Sequence, residues 1–261
     1  NSIILGLCMG SSVLFSMFYG AGEIDRLKRS FFTSLWFIGL ITIIINALVL
    51  VFIDEILEYM KIPINILSET REYIRIVFYG ISLTFFYNYF AAVLRSVGNS
   101  VTPLIFLIIA AIMNIVLDII FIAALNMGVA GAAWATFIAQ GFSAVSMALY
   151  CFIKIPQIRP GRKHMGLDRG LVSMIANYSI LTCTQQSIMN FGILMIQGLV
   201  NSFGVSVMAA FAAAVKIESF AYMPAQEFGN AFSTFIAQNK GASKLDRVRR
   251  GIRSAVIIIT I

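Results

Sequence analysis

The chain has 261 residues, of which 59% are hydrophobic and only 12% charged, with a net charge of +7 and a mean hydropathy of +0.89. A soluble domain carries about 25% charged residues, so an ordinary soluble globular protein is excluded. The positive balance raises nucleic acid as a partner, an option that the placement of the basic residues removes below.

Taken from the N-terminus, residues 2–19 form a first apolar segment with Gly6 and Gly10 at GxxxG spacing, which lets a neighbouring helix approach closely. A charged phrase, GAGEIDRLKRS, follows at 20–30, and the run FFTSLWFIGLITIIINALVLVF leads a second span over 31–53. An acidic connection with Asp54, Glu55, Glu58, Glu69 and Glu72 leads to a third span at 73–94. After a short turn containing Gly98, Asn99 and Pro103, the fourth span at 104–125 carries Asn114 and Asp118 one helical turn apart on one side. The fifth span, 130–153, opens on Gly131, Ala135 and Ala139, a small-residue stripe suited to packing. A basic stretch, 154–170, precedes spans at 171–202 and 206–238, the phrase GASKLDRVRRG at 241–251, and an eighth apolar start from 252. Segments of roughly 20 apolar residues cross the hydrocarbon as helices, because backbone groups in lipid must bond within their own segment. The expected class is therefore an all-α polytopic membrane protein.

Orientation follows from counting Lys and Arg in alternate connections. Those at 20–30, 95–103, 154–170 and 239–253 hold fifteen, whereas 54–72, 126–129 and 203–205 hold only Lys61 and Arg71. This alternation is the positive-inside signal. It places the basic loops in the cytoplasm and explains the charge as topology and membrane-surface anchoring, without nucleic acid.

The two charged phrases lie 221 positions apart and share five of eleven residues, with three more conservative. Both follow one span and precede another on the same side, so the repeat is parallel and implies two lobes related by an axis along the membrane normal. The expected layout is a first lobe at 1–153, a basic linker at 154–170 and the start of a second lobe at 171–261.

Residues 94–140 contain LRSVGNSVTPLIF, MNIVLDIIFI and NMGVAGAAWATFIAQ, and 217–251 contain IESFAYMPAQEFGNAFSTFIAQNKGASKLDRVRRG. In this order they resemble the multidrug and toxic compound extrusion (MATE) transporters of bacteria, as an internal stretch from the second helix to the start of the ninth. The resemblance implies two six-helix lobes, with the second incomplete here. It also implies export of amphipathic or cationic compounds from a cavity between the lobes, in exchange for Na⁺ or H⁺. A monomer in the bacterial inner membrane is expected, with no cofactor beyond the coupling ion.

Ionisable residues within spans are costly and usually face a cavity or a partner. Asp118 with Asn114 can coordinate Na⁺ or titrate when desolvated; the alternative is a carboxylate that pins neighbouring helices. On the 206–238 helix, which at 1.5 Å per residue would run about 50 Å and must tilt, protrude or bend, Lys216 and Glu218 point in nearly opposite directions. Glu218 is a candidate cation-binding or protonatable group, or else a structural pairing residue. Glu227 lies nearer the cytoplasmic end and carries less weight. Gln186, Asn190 and Gln197 form one polar stripe on 171–202, which either lines a substrate path or holds helices together.

Cys8, Cys151 and Cys183 lack metal-ligand spacing, His164 has no nucleophile nearby, and no P-loop occurs. A flippase for lipid-linked saccharides is the alternative reading, and it would require basic residues facing the cavity. An intramembrane enzyme is more remote, since no convergent nucleophile–base set is visible.

Overall fold

The computed structural model describes residues 2–59, 67–201, 203 and 205–260, so Lys61 of the acidic connection lies outside the described part. In chain order the helices are α1 (Ser2–Ala21), α2 (Ile24–Val51), α3 (Ile53–Tyr59), α4 (Leu67–Tyr79), α5 (Ile81–Ser96), α6 (Val101–Asp118), α7 (Gly128–Lys154), α8 (Arg169–Asn201), α9 (Val205–Gly241) and α10 (Leu245–Thr260). A π-helical segment, Ile119–Ala124, prolongs α6. Five stretches among the described residues are long and apolar enough to cross a membrane: α1, α2, Leu67–Ser96, Val101–Ala124 and α7.

Two boundaries differ from the sequence expectation for one reason. The charged phrases are mostly helix, and only Gly22–Glu23 and Ala242–Lys244 break the chain. Each break is a helix stop with a left-handed residue, Gly22 at φ 74° and Ser243 at φ 57°. Asp25 and Asp246 then sit in the first turns of α2 and α10, where a carboxylate complements the helix dipole. The third span also starts earlier than expected, at Leu67, and α3 makes part of the acidic connection helical, with Arg71 paired to Asp54 at 2.8 Å. The long helix α9 passes through Pro224 as one continuous helix.

The repeat is matched in the bonds that close each helix end. Gly22 N–H donates to Tyr19 O at 3.1 Å, and its counterpart Ser243 N–H donates to Lys240 O at 3.0 Å. Glu23 N–H donates to Phe18 O at 3.0 Å, and Lys244 N–H to Asn239 O at 2.8 Å. These two copies also touch each other. A methyl group on Gly20 would lie 2.7 Å from the Cα of Gln238 and collide with its carbonyl oxygen; one on Gly241 would lie 3.0 Å from the Cα of Met17 and collide with its carbonyl. Met17 and Gln238, like Gly20 and Gly241, are 221 residues apart, so α1 and α9 cross about a local pseudo-two-fold.

The GxxxG pair on α1 packs against α8. Substituents on Gly6 and Gly10 would come within 2.6 Å of Cys183 Cα and 2.5 Å of Ser179 Cα, and Thr182 donates to Gly6 O at 2.6 Å. Between α1, α2, α5 and α7 lies an aromatic core centred on the fully buried Tyr89, whose hydroxyl donates to Phe31 O at 2.6 Å. The 154–170 stretch is clamped to this bundle. His164 is 3% exposed; its Nδ1 accepts the Gly161 N–H at 3.0 Å, so Nε2 carries the proton and donates to Asp25 at 2.8 Å. Arg29 and Asp168 pair at 3.7 Å.

Gly20→Val and Gly241→Val should each lower the unfolding midpoint of the detergent-solubilised protein, at a cost of about 1–3 kcal/mol from overpacking. Gly22→Ala, with no heavy atom within 4 Å but a positive φ, should cost only about 1–2 kcal/mol. Unchanged midpoints for both valine variants would show that the helices do not touch there.

Candidate functional site

Helices α5, α6 and α7 diverge around a cavity of about 300 Å³ lined by Thr84, Tyr87 and Asn88 from α5, Asn114 and alanines from α6, and Thr136, Gln140 and Ser143 from α7. Polar residues recur at helical spacing: Thr84 and Asn88 are four apart, and Thr136, Gln140 and Ser143 fall at i, i+4 and i+7, so each set shares a face. Ala139 and Ala110 keep the walls low enough to leave the space open.

The lining is partly self-satisfied. Thr84 donates to the Gln140 side-chain carbonyl, and Asn88 donates to Thr84 O at 2.8 Å. Thr136 donates to Ala132 O at 3.0 Å and accepts from Asn114 at 3.4 Å. Tyr87 donates to Pro103 O at 3.2 Å, and Ser143 to Phe106 O at 3.3 Å. No Lys, Arg or His is among the lining residues. The result is an uncharged, largely apolar wall that carries a few polar groups.

Asp118 stands one turn beyond Asn114, at the junction of α6 and the π segment. It is half-buried, and its Oδ1 is shielded from solvent and accepts no hydrogen bond. A buried carboxylate oxygen without a donor is costly, and π segments recur where helices carry function. Gly131 at the start of α7 packs closely on Phe121 of that segment, where a methyl would approach the Phe121 Cβ at 3.0 Å. The small-residue stripe read from sequence therefore brings the π segment close to α7.

The other sequence candidates separate from this cavity. Asn190 donates to Ser2 Oγ at 2.9 Å and Gln186 approaches Met9 Sδ at 3.6 Å, which places both at the seam between α8 and α1. Gln197 is half-buried further along α8. Lys216 and Glu218 are exposed on α9 and do not line the cavity. Glu227 instead bridges bundles: it lies 3.5 Å from Arg95 at the end of α5 and accepts from Asn230 at 3.3 Å. Next to it, Gln238 donates to Ser96 O at 2.7 Å. Thr84, Asn88, Thr136, Gln140 and Ser143 were not singled out from sequence, although their spacing was readable.

The MatE family model matches residues 2–120 and 165–261. The chain is 28% identical to the probable multidrug resistance protein YoeA of Bacillus subtilis, over 98% of its own length and 57% of that protein. It is 32% identical to the probable multidrug resistance protein YpnP of the same organism, over 76% of this chain and 44% of that one. The chain thus spans about half the length of these curated relatives. Its fold matches a crystal structure of a MATE transporter in complex with MaL6 with a TM-score of 0.91 at 22% identity, over 98% of this chain and 58% of that one.

With Cys8, Cys151 and Cys183 replaced, a cysteine at Gln140 should react with a small water-soluble maleimide, and one at the fully buried Ala135 should not. Equal protection at both positions would show that the cavity is sealed from water.

Proposed function

Since the chain belongs to the MatE family, we propose that it forms part of a secondary transporter of the bacterial inner membrane that exports amphipathic or cationic compounds in exchange for Na⁺ or H⁺. The observation that carries this reading is Asp118. Its unpartnered, buried carboxylate oxygen offers a ligand to a small cation or a site for a proton, and Asn114 one turn away offers a second oxygen. Neither cargo requires a cofactor. The lining of the adjacent cavity contains no cationic side chain, which suits a cationic substrate.

In this reading, residues 1–153 and the stretch from 171 belong to two lobes, with 154–170 as the linker between them and the basic ends in the cytoplasm. The α1–α9 crossing, the Arg95–Glu227 pair and the Gln238–Ser96 hydrogen bond join the lobes at the basic end. Access from the cytoplasm then requires this contact to part, and access from outside requires it to hold. Cation entry at Asp118 on one side and substrate release on the other are coupled if both use the same lobe, as the one-turn separation of Asp118 from the cavity supports. A flippase moving an anionic lipid-linked saccharide draws no support from a cavity whose lining contains no Lys or Arg.

Efflux of a fluorescent lipophilic cation by the full-length protein in a drug-sensitive bacterial host tests this reading. Wild-type export should depend on the ion gradient, and Asp118→Asn at matched expression should reduce it by about tenfold or more, the scale of one lost charged contact of about 1.5–3 kcal/mol. Glu218→Gln, outside the cavity, should have a smaller effect. Wild-type rates in Asp118→Asn would remove the carboxylate from the mechanism, and no export by correctly inserted wild type would point to an anionic substrate.

A further inference from the structure

The two copies of the charged phrase share a backbone and differ in electrostatics. In the first, residues 20–30 carry a net charge of +1, and two of its three cations have protein partners: Arg26 pairs with Glu23 at 2.8 Å and Arg29 with Asp168 at 3.7 Å. The 154–170 stretch covers it, with Lys163 and His164 both held by Asp25. In the second, Lys244 takes the place of Glu23. Residues 240–253 then hold Lys240, Lys244, Arg247, Arg249, Arg250 and Arg253 against Asp246 alone, a net charge of +5. All six cations are exposed, and none makes an ion pair among the described residues.

Helix geometry aims this charge outward. The α10 face carrying Gly251 and Ala255 rests on α9: Ala255 is buried, and any side chain at Gly251 would strike the Phe235 ring. Arg249, Arg250 and Arg253 lie within about 100° of one another on the wheel, on the side away from that contact. Two turns on, Val256, Ile257 and Ile258 are exposed apolar residues that fit hydrocarbon. The arginines are thus held at the depth where phospholipid headgroups begin, on a helix that is basic at the interface and apolar beyond it.

We propose that the α9–α10 turn and the first turns of α10 form a binding face for anionic phospholipid headgroups at the basic side of the membrane. Where the first copy has Glu23 the second has Lys244, and the second takes its counter-anions from lipid phosphate. Six cations strung along fourteen residues, all exposed, suit a field of headgroups rather than a single enclosed anion. Phosphate is the chemistry recognised, and the lipid is its source.

The test uses the full-length protein in nanodiscs of phosphatidylcholine alone or mixed with phosphatidylglycerol. Its readout is thermal unfolding, independent of transport. The wild-type midpoint should rise by several degrees with phosphatidylglycerol, and R249Q/R250Q/R253Q should lose most of that rise while keeping the midpoint in phosphatidylcholine. R249K/R250K/R253K, which keeps the charge, should retain it. R26Q/R29Q, which removes charge from the first copy instead, should leave the lipid-dependent rise intact. An equal rise in wild type and the glutamine variant, or no rise in either, overturns the proposal. A rise produced by inorganic phosphate without anionic lipid overturns it in favour of a soluble anion.

Discussion

At Gly20 and Gly241 two helix backbones meet with no side chain between them, each glycine lying against a carbonyl of the opposite helix. Hydrophobicity does not hold helices together in lipid, so close backbone approach and interhelical hydrogen bonds must do so. This crossing supplies the approach, and Gln238 to Ser96 O supplies a hydrogen bond beside it. Because α1 leads directly into the aromatic core around Tyr89, and α9 leads into α10, the crossing sets where the second half of the chain stands relative to the first. The α1–α8 seam, with Gly6 and Gly10 under Cys183 and Ser179, extends the same contact along α1.

The same construction separates stability from chemistry. Gly6, Gly10, Gly20 and Gly241 work by having no side chain, and they lie between the two halves. The polar groups of the cavity lie within one half, among α5, α6 and α7, where Ala110 and Ala139 leave volume. The bundle that carries the cavity is joined to α8 and α9 by backbone approach and by hydrogen bonds such as Thr182 to Gly6 O and Asn190 to Ser2 Oγ, so it moves as a unit only where those bonds part. Arg95–Glu227, at 3.5 Å and partly exposed, adds a contact that solvent screens and that costs little to break.

Much of this was legible in the amino-acid sequence, for reasons that differ by residue. The spans and the parallel repeat were readable because apolar length and the doubled GA…DR phrase are local patterns. What the phrase does was not, since the meeting of Gly20 with Gln238 depends on docking residues far apart in the chain. Asn114 and Asp118 stood out as polar groups on an apolar helix, and the structure keeps them together near the cavity. Thr84, Asn88, Thr136, Gln140 and Ser143 passed unremarked because small neutral polar residues are common in spanning helices and each helix supplies only part of the wall. Glu218 drew attention by its charge, yet only the neighbours of α9 could place it, and they leave it exposed. Glu227, discounted for its position near a helix end, acquires a role through Arg95, 132 residues away.

In the proposed function, the crossing at the basic end closes one side of the transporter and parts during the cycle. Spin labels at Ala21→Cys and Ala242→Cys, equivalent positions of the two turns, in an otherwise cysteine-free full-length protein report on it through their distance distribution. The account predicts one short distance at rest and a second, longer population when substrate is supplied with the coupling ion reversed. A single unchanged short distance under conditions where the same labelled protein transports would contradict it.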